Sequence, residues 1–229
     1  MACGYSETQA RRLAQEYGLF LERKHDAPKM PTERRVQIWH EQLYKSPRIL
    51  QRLTVVKGWN RRGYWRCQVG WDGERITFPV RSATRRIVGL VRYLPGGDPK
   101  SKAIPGSRRD LFPPPELCST KMPLFLVEGE PAAVSVWSTG HQAVAIPGVN
   151  SWRPEMAQRF VGRRVVMLPD CDPQGRDLAQ RVSAVLPKAM VVDLAPERQD
   201  GYDVGDLVLE AAQEDELLEL GRILGRLAA

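Results

Sequence analysis

Apolar positions near the start of the chain recur with a helical period. Ala10, Leu13, Ala14 and Tyr17, led by Ser6-Glu7 and followed by Gly18, predict a first helix. Val36, Trp39, His40 and Leu43 predict a second, with Thr32 as its N-cap. Ile49, Leu50 and Leu53 behind Ser46-Pro47 predict a third that stops at Gly58, and HDAPKMP is a loop between the first two. From Tyr64 the period shortens. Residues 66–70, 74–80 and 86–94 are short β-rich runs parted by WDG and RSATR, and they predict antiparallel strands. PGGDPKSKAIPGSRRDLFPPP is rich in Gly, Pro and basic residues and predicts an extended loop or linker.

Beyond Pro123 strand and helix alternate. LFLVE, AVAIP, RVVMLPD and MVVDL predict four strands, and PAAVSVWSTG, residues 154–160, DPQGRDLAQRVSAVL and the last stretch predict helices between and after them. Continuous apolar strands joined by amphipathic helices specify a parallel sheet covered on both faces. The predicted fold class is α/β: a parallel-sheet domain behind a smaller basic α+β domain with helices at its start. The corresponding segments are 1–60, 61–120 and 121–229.

Composition narrows the setting. A chain of 229 residues has room for one large domain or two modest ones, and 42% hydrophobic with 27% charged residues is ordinary for a globular protein. No apolar run approaches the roughly 20 residues of a membrane helix, and MACGYSETQARR lacks the apolar core of a signal peptide, so a cytoplasmic protein without a membrane partner is expected. Cys3, Cys67, Cys118 and Cys171 form no CxxC pair, and His25, His40 and His141 supply no credible zinc set, so reduced thiols are expected.

The net charge of +7 hides an asymmetry. Residues 1–122 hold 24 Lys and Arg against 11 Asp and Glu, whereas residues 123–229 hold 10 against 16. A basic half attracts a polyanion, and an acidic half gathers carboxylates for cations. Within the basic half, Lys57, Arg61, Arg62 and Arg66 interleave with Trp59, Tyr64 and Trp65. Such a stretch pairs phosphate neutralisation with rings that stack on unpaired bases; its plain alternative is a solvated hairpin with Trp in the core. Trp39, Trp71, Trp137 and Trp152 read as packing, and LPGGDP is a turn, because no Gly-Lys-Ser/Thr follows it.

The acidic half concentrates its chemistry where open parallel sheets place ligands, at the carboxyl ends of strands. Glu128 ends the first strand ahead of Gly129, Asp170 and Asp172 end the third as Asp-Cys-Asp, and Asp203 and Asp206 follow the fourth in GYDVGDL. In an extended segment residues two apart point the same way, so Asp170 and Asp172 are expected to face one point. Crowded oxygen ligands without His or Cys favour Mg²⁺ or Mn²⁺ over zinc. The alternative for Asp172 and Asp203 is helix capping.

LFLVEGEPAA and VVMLPDCDPQGRDLA resemble the two signature motifs of Toprim domains, and GYDVGDLV resembles the third acidic motif of primase members. Upstream, ERITFPVRSATRRIVGLVRY and KAIPGSRRDLF, with Lys102 ten residues ahead of Phe112, resemble the basic subdomain that precedes Toprim in bacterial and phage primases. The resemblance implies a DNA primase catalytic core: a nucleotidyltransferase of DNA replication that makes short RNA primers on a single-stranded DNA template from nucleoside triphosphates, with Mg²⁺ or Mn²⁺ as cofactor. It implies Glu128, Asp170 and Asp172 as catalytic, with Asp203 and Asp206 joining them as metal ligands. Lys102, Arg92, Arg81, Arg61, Arg62 and Trp59 are the expected contacts to nucleotide or DNA. The sequence departs from the pattern at Ala132, where many Toprim primases carry Asp; either Glu130 substitutes in part, or the alanine is an engineered change or a natural loss, and the metal count is left open. It carries no counterpart of the amino-terminal zinc module of cellular primases, which points to a phage, plasmid or mobile-element primase or an excised core. A replicative helicase is a possible partner, through a small docking surface in 202–229. The rival readings are a Toprim nuclease and a non-catalytic DNA-binding regulatory module.

Overall fold

The computed structural model describes residues 30–227, so the helix expected over 6–17 lies outside the described residues. Helix α1, Glu33–Tyr44, starts where Thr32 Oγ1 accepts the Arg35 N–H (3.2 Å), and it buries Val36, His40 and Leu43 along one stripe. His40 Nδ1 meets the Val69 carbonyl at 2.7 Å. Helix α2, Pro47–Lys57, opens on proline and ends at Gly58, whose φ of +64° is the left-handed cap glycine adopts without strain. These two helices follow the apolar pattern.

The next segment does not. A short helix α3, Arg61–Arg66, runs into the start of the strand expected over 66–70, residues 67–69 are turn and loop, and only β1, Gly70–Trp71, pairs. Asn60 caps α3 by accepting the N–H groups of Arg62 and Gly63, and Gly63 lies so close to the helix Gly129–Ser138 that an added Cβ would come within 2.7 Å of the Val134 carbonyl. A helix packed against a distant helix thus overrides a local β preference.

Strands β2, Ile76–Arg81, and β3, Ile87–Tyr93, form the antiparallel centre of the first sheet, of order β1-β2-β3-β4. The fourth strand, β4, Ser101–Ala103, falls inside the stretch expected to be a loop and sets Lys102 opposite Arg92. Arg81, at the bulged end of β2, is buried; its guanidinium donates to both Glu33 carboxylate oxygens (2.6 and 2.7 Å) and to Gln68 Oε1. Arg92 is held by Asp72 (2.6 Å) and Glu74 (2.9 Å). Removing a buried, multiply bonded guanidinium costs about 2–3 kcal/mol. Arg81→Ala is therefore expected to lower unfolding free energy by that amount in urea titrations. Unchanged stability would count against this anchoring role.

The second sheet is wholly parallel, of order β6-β5-β7-β8, formed by β5, Leu124–Glu128, β6, Gln142–Ile146, β7, Val165–Met167, and β8, Met190–Val191. Helix α4, Gly129–Ser138, follows β5; a 3-10 helix, Pro154–Phe160, precedes β7; and α5, Pro173–Val185, α6, Val204–Gln213, and α7, Leu217–Leu227, complete the chain. One hydrophobic core runs through both sheets. Its seam is aromatic, with Trp59, Phe78, Tyr93 and Phe112 in ring contact and Phe112 bridged through its backbone to Ala145 of β6. Cys67, Cys118 and Cys171 are free and buried, and among the described residues no helix is long and apolar enough to cross a membrane.

Candidate active site

Strands β5 and β7 pair directly in parallel, so their carboxyl ends lie side by side. Glu128 is the last residue of β5, and Gly129 behind it takes a φ of +70° to turn at once into α4. Leu168 and Pro169 lead from β7 to Asp170, whose backbone N–H donates to Glu128 Oε1 at 3.3 Å. Helix α5 closes in through Gly175. A Cβ there would sit 2.8 Å from Glu128 Oε1 and overlap the Asp170 carbonyl, so only glycine lets the helix approach these acids.

Asp172 reaches the site by a turn, not by strand alternation. Its N–H donates to the Asp170 carbonyl (2.8 Å), and its Oδ1 accepts the Gly175 N–H (2.7 Å) as the N-cap of α5. The third acidic segment is drawn in by backbone pairing: the Cys171 N–H donates to the Tyr202 carbonyl at 2.8 Å. Asp203 then caps α6, accepting from Gly205 and Asp206, while Asp206 accepts the Asp203 N–H in return. Capping and site membership are thus both properties of Asp172 and Asp203.

The five acids feel one another. Burial, reinforced by Glu128, Asp203, Asp172 and Asp206, pushes Asp170 up to about 9. Burial also raises Glu128, with Asp172 and Asp203 adding to the effect against the Asp170 N–H, and burial with Asp206 raises Asp203. Opposed to them is Lys57 at the end of α2, whose ammonium burial and Lys100 pull below the usual lysine range, with Asp203 and Asp206 acting the other way. A hard divalent cation suits an all-carboxylate set whose charges repel, so the donor chemistry fits Mg²⁺ or Mn²⁺. Among the described residues, no three His, Cys, Asp or Glu side chains are gathered closely enough to hold one ion.

Glu130 stands apart. It is buried, one carboxylate oxygen lacks a hydrogen-bond partner, and the charged group acting on it is Arg109. Ala132 is buried in the core.

Two polar clefts flank the acids and share Asn150. One, of about 350 Å³, lies at the start of α5 and includes Gln174 and Arg181. The other, of about 400 Å³, is lined by Arg108, Arg109, Asn150, Ser151 and Arg153. None of these arginines is among the residues singled out from sequence, although the doublet Arg108-Arg109 stands in the KAIPGSRRDLF run.

The expected nucleic-acid contacts separate. Trp59 is fully buried, and its Nε1–H donates to Ser135 Oγ (2.8 Å), so its ring has no face for a base. Arg81 and Arg92 are engaged by carboxylates, which corrects their assignment to phosphate. Lys102 is exposed, Arg61 is exposed over the Tyr44 ring, and Arg62 donates to the Gly140 carbonyl (2.7 Å).

No family model matches the chain. Its fold is that of bacterial and phage DNA primase catalytic cores. A structure described as the DnaG primase catalytic domain bound to single-stranded DNA superposes with a TM-score of 0.61 at 20% identity, over 82% of this chain and 75% of that one. The RNA polymerase domain of Mycobacterium tuberculosis DnaG gives 0.56 at 15% identity, over 82% and 80%, and the primase fragment of the bacteriophage T7 primase-helicase gives 0.54 at 17%, over 71% and 70%. In sequence, the chain is 33% identical over 135 residues to the Gene 57 protein of Mycobacterium phage D29, which is 58% of this chain and 86% of that protein. The chain belongs to the family of that phage protein.

Proposed function

We propose that the protein is a DNA primase core of Toprim type that joins ribonucleotides on a single-stranded DNA template. The reading rests on one observation above others. In a primase-core fold, the carboxyl ends of β5 and β7 and the cap of α6 bring together acids that add to burial in pushing Asp170 up to about 9. Asp170 with either Asp172 or Asp203 would hold Mg²⁺ or Mn²⁺ through one or two carboxylates, with water and triphosphate oxygens completing its shell, and Asp206 buttresses Asp203 through the capping box. Such an ion neutralises phosphate charge and favours in-line displacement. Glu128, raised by burial and fixed by the Asp170 N–H, is placed to accept the proton of the attacking hydroxyl as the α-phosphate changes partner and pyrophosphate leaves. Lys57 and the clefts holding Arg108, Arg109, Arg153 and Arg181 offer cations for triphosphate and template, alongside Lys102 and Arg61. A replicative helicase fits this role as partner, since one structural neighbour is the primase fragment of a primase-helicase.

The test is primer synthesis from labelled ribonucleotides on single-stranded DNA, with and without Mg²⁺ or Mn²⁺. Products of a few nucleotides that require template, triphosphates and metal are expected. Cleavage of DNA without nucleotides would identify a nuclease instead, and binding indifferent to metal with no synthesis would identify a regulatory module.

Template binding carries its own expectation. Phosphate contacts release counterions, so affinity for single strands falls by about 0.7 log units per log unit of salt for each contact made. Fluorescence anisotropy with labelled oligonucleotides between 50 mM and 200 mM salt, about the range over which this effect is steep, measures that slope. A flat salt response would remove DNA as the partner of the basic half.

A further inference from the structure

The basic and aromatic stretch around residues 57–66 is only partly absorbed by the acidic site. Helix α3 divides it. Trp59 and Tyr64 go into the core, whereas Arg62, Trp65 and Arg66 face outward on the far side of the molecule from the acids. That position follows from α3 packing on the carboxyl end of α4: Asn60 Nδ2–H donates to the Ser138 carbonyl (2.8 Å), and Arg62 Nη2–H donates to the Gly140 carbonyl (2.7 Å). Gly140 precedes β6 and Met122 precedes β5, so both mark the amino-terminal ends of the parallel strands. The acids lie at the opposite ends, about 16 Å away along a strand of five residues rising about 3.3 Å each.

A cavity of about 380 Å³ opens there, lined by Arg62, Arg66, Ser119, Met122, Trp137 and Gln142 among others. The Arg66 guanidinium stacks on two indoles at once, 4.8 Å from the Trp65 ring and 5.6 Å from the Trp137 ring. Trp65 is 60% exposed, an uncommon position for so large a ring. Arg163 enters from the neighbouring loop, its Nη1–H donating to the Cys118 carbonyl (3.1 Å), and it acts with Arg66 on the buried Cys118 thiol. Among the described residues, neither Arg62, Arg66 nor Arg163 forms an ion pair with a carboxylate.

We propose that this cavity is a second binding site, for single-stranded nucleic acid, separate from the acidic site and independent of its metal. The chemistry is specific to that class. Unpaired arginines neutralise phosphates, and an exposed indole backed by a stacked guanidinium presents a flat face to an unpaired base. A duplex keeps its bases stacked inside and has no face to offer Trp65. An acidic protein segment would use the arginines but not the ring.

The experiment is photocrosslinking of the full chain, in chelator, to a single-stranded oligonucleotide carrying 5-iododeoxyuridine, with the attachment site mapped by mass spectrometry. The expected result is a crosslinked peptide containing Trp65. The double variant Arg62→Ala and Arg66→Ala lowers its yield about tenfold and flattens the salt dependence by about 0.7 per arginine. Arg66→Lys, which keeps charge and loses the planar stack, gives an intermediate yield. The Asp170→Asn, Asp172→Asn variant keeps the crosslink even where it loses primer synthesis, which separates this site from the acidic one. Arg62 and Arg66 are exposed, and matched melting temperatures confirm that all the variants are folded. A crosslink confined to other peptides, a yield unchanged by the double variant, or displacement by poly-glutamate as effective as by unlabelled oligonucleotide at equal charge each overturns the proposal.

Discussion

Replacing Asp170 and Asp172 together by alanine is expected to lower primer synthesis by about a thousandfold or more, because the site loses two of the charges placed to hold a cation on the triphosphate. The fold should survive. Asp172 also caps α5, and losing a cap costs about 1 kcal/mol. Against that stands the relief of crowding around Asp170, which burial and four carboxylates push up to about 9. The Asp170→Asn, Asp172→Asn pair separates the two effects, since asparagine caps as well as aspartate and carries no charge. It should match the alanine pair in lost synthesis while melting closer to the unmodified protein. Measured by labelled-ribonucleotide incorporation beside thermal melts, full activity in either pair would remove these acids from the reaction.

In chelator, stability should fall as pH rises from 5 to 8. Asp170 titrates near 3.8 when unperturbed and at about 9 in the folded protein, so between those values the native state holds a proton that the unfolded chain has released. A raised folded value means that the stabilising contribution is complete below about 3.8 and is lost as pH climbs through about 9. Glu128 and Asp203 shift in the same direction. The ion-paired acids, Glu33, Asp72, Glu116 and Asp193, are shifted downward, so their transitions lie below this window and do not oppose the trend. One proton is worth about 1.4 kcal/mol per pH unit, so a loss of about 2–4 kcal/mol is expected across the window. Asp170→Asn should flatten the dependence, and millimolar Mg²⁺, competing with the proton for the same oxygens, should flatten it too. A melting temperature that is level or rising from pH 5 to 8 in chelator would show that the acids are not crowded in the folded state.

Both expectations draw on features legible along the chain, and the reason is locality. The helices at 33–44 and 47–57 have their caps, stripes and stops within a few residues, and Thr32, Pro47 and Gly58 act as their types predict. The runs LFLV and VVM of these strands are apolar throughout because both faces of a parallel sheet are covered. Acids placed directly after such strands belong at the end of the sheet where ligands gather. Less was legible in the joining of the halves, since residues 66–70, which suggest a strand, close a short helix and turn before β1, and β4 stands where Gly and Pro suggest only a loop.

The roles of the cations and rings depend on partners far along the chain. Trp59 is lost to DNA because Ser135, 76 positions away, receives its indole N–H, and Arg81 is lost to phosphate because Glu33, 48 positions away, takes its guanidinium. No spacing rule reaches that far, whereas Trp65, six residues beyond Trp59 and alike in composition, stays exposed. The approach of Asp203 to Asp170 likewise depends on backbone pairing between Cys171 and Tyr202, and that of α5 on the bare Cα of Gly175. Side-chain identity and period set which elements form and which groups can ionise. Burial and the charges that chain folding brings alongside decide which of those groups remain free to meet a ligand, because desolvation and ion pairing act through space and not along sequence.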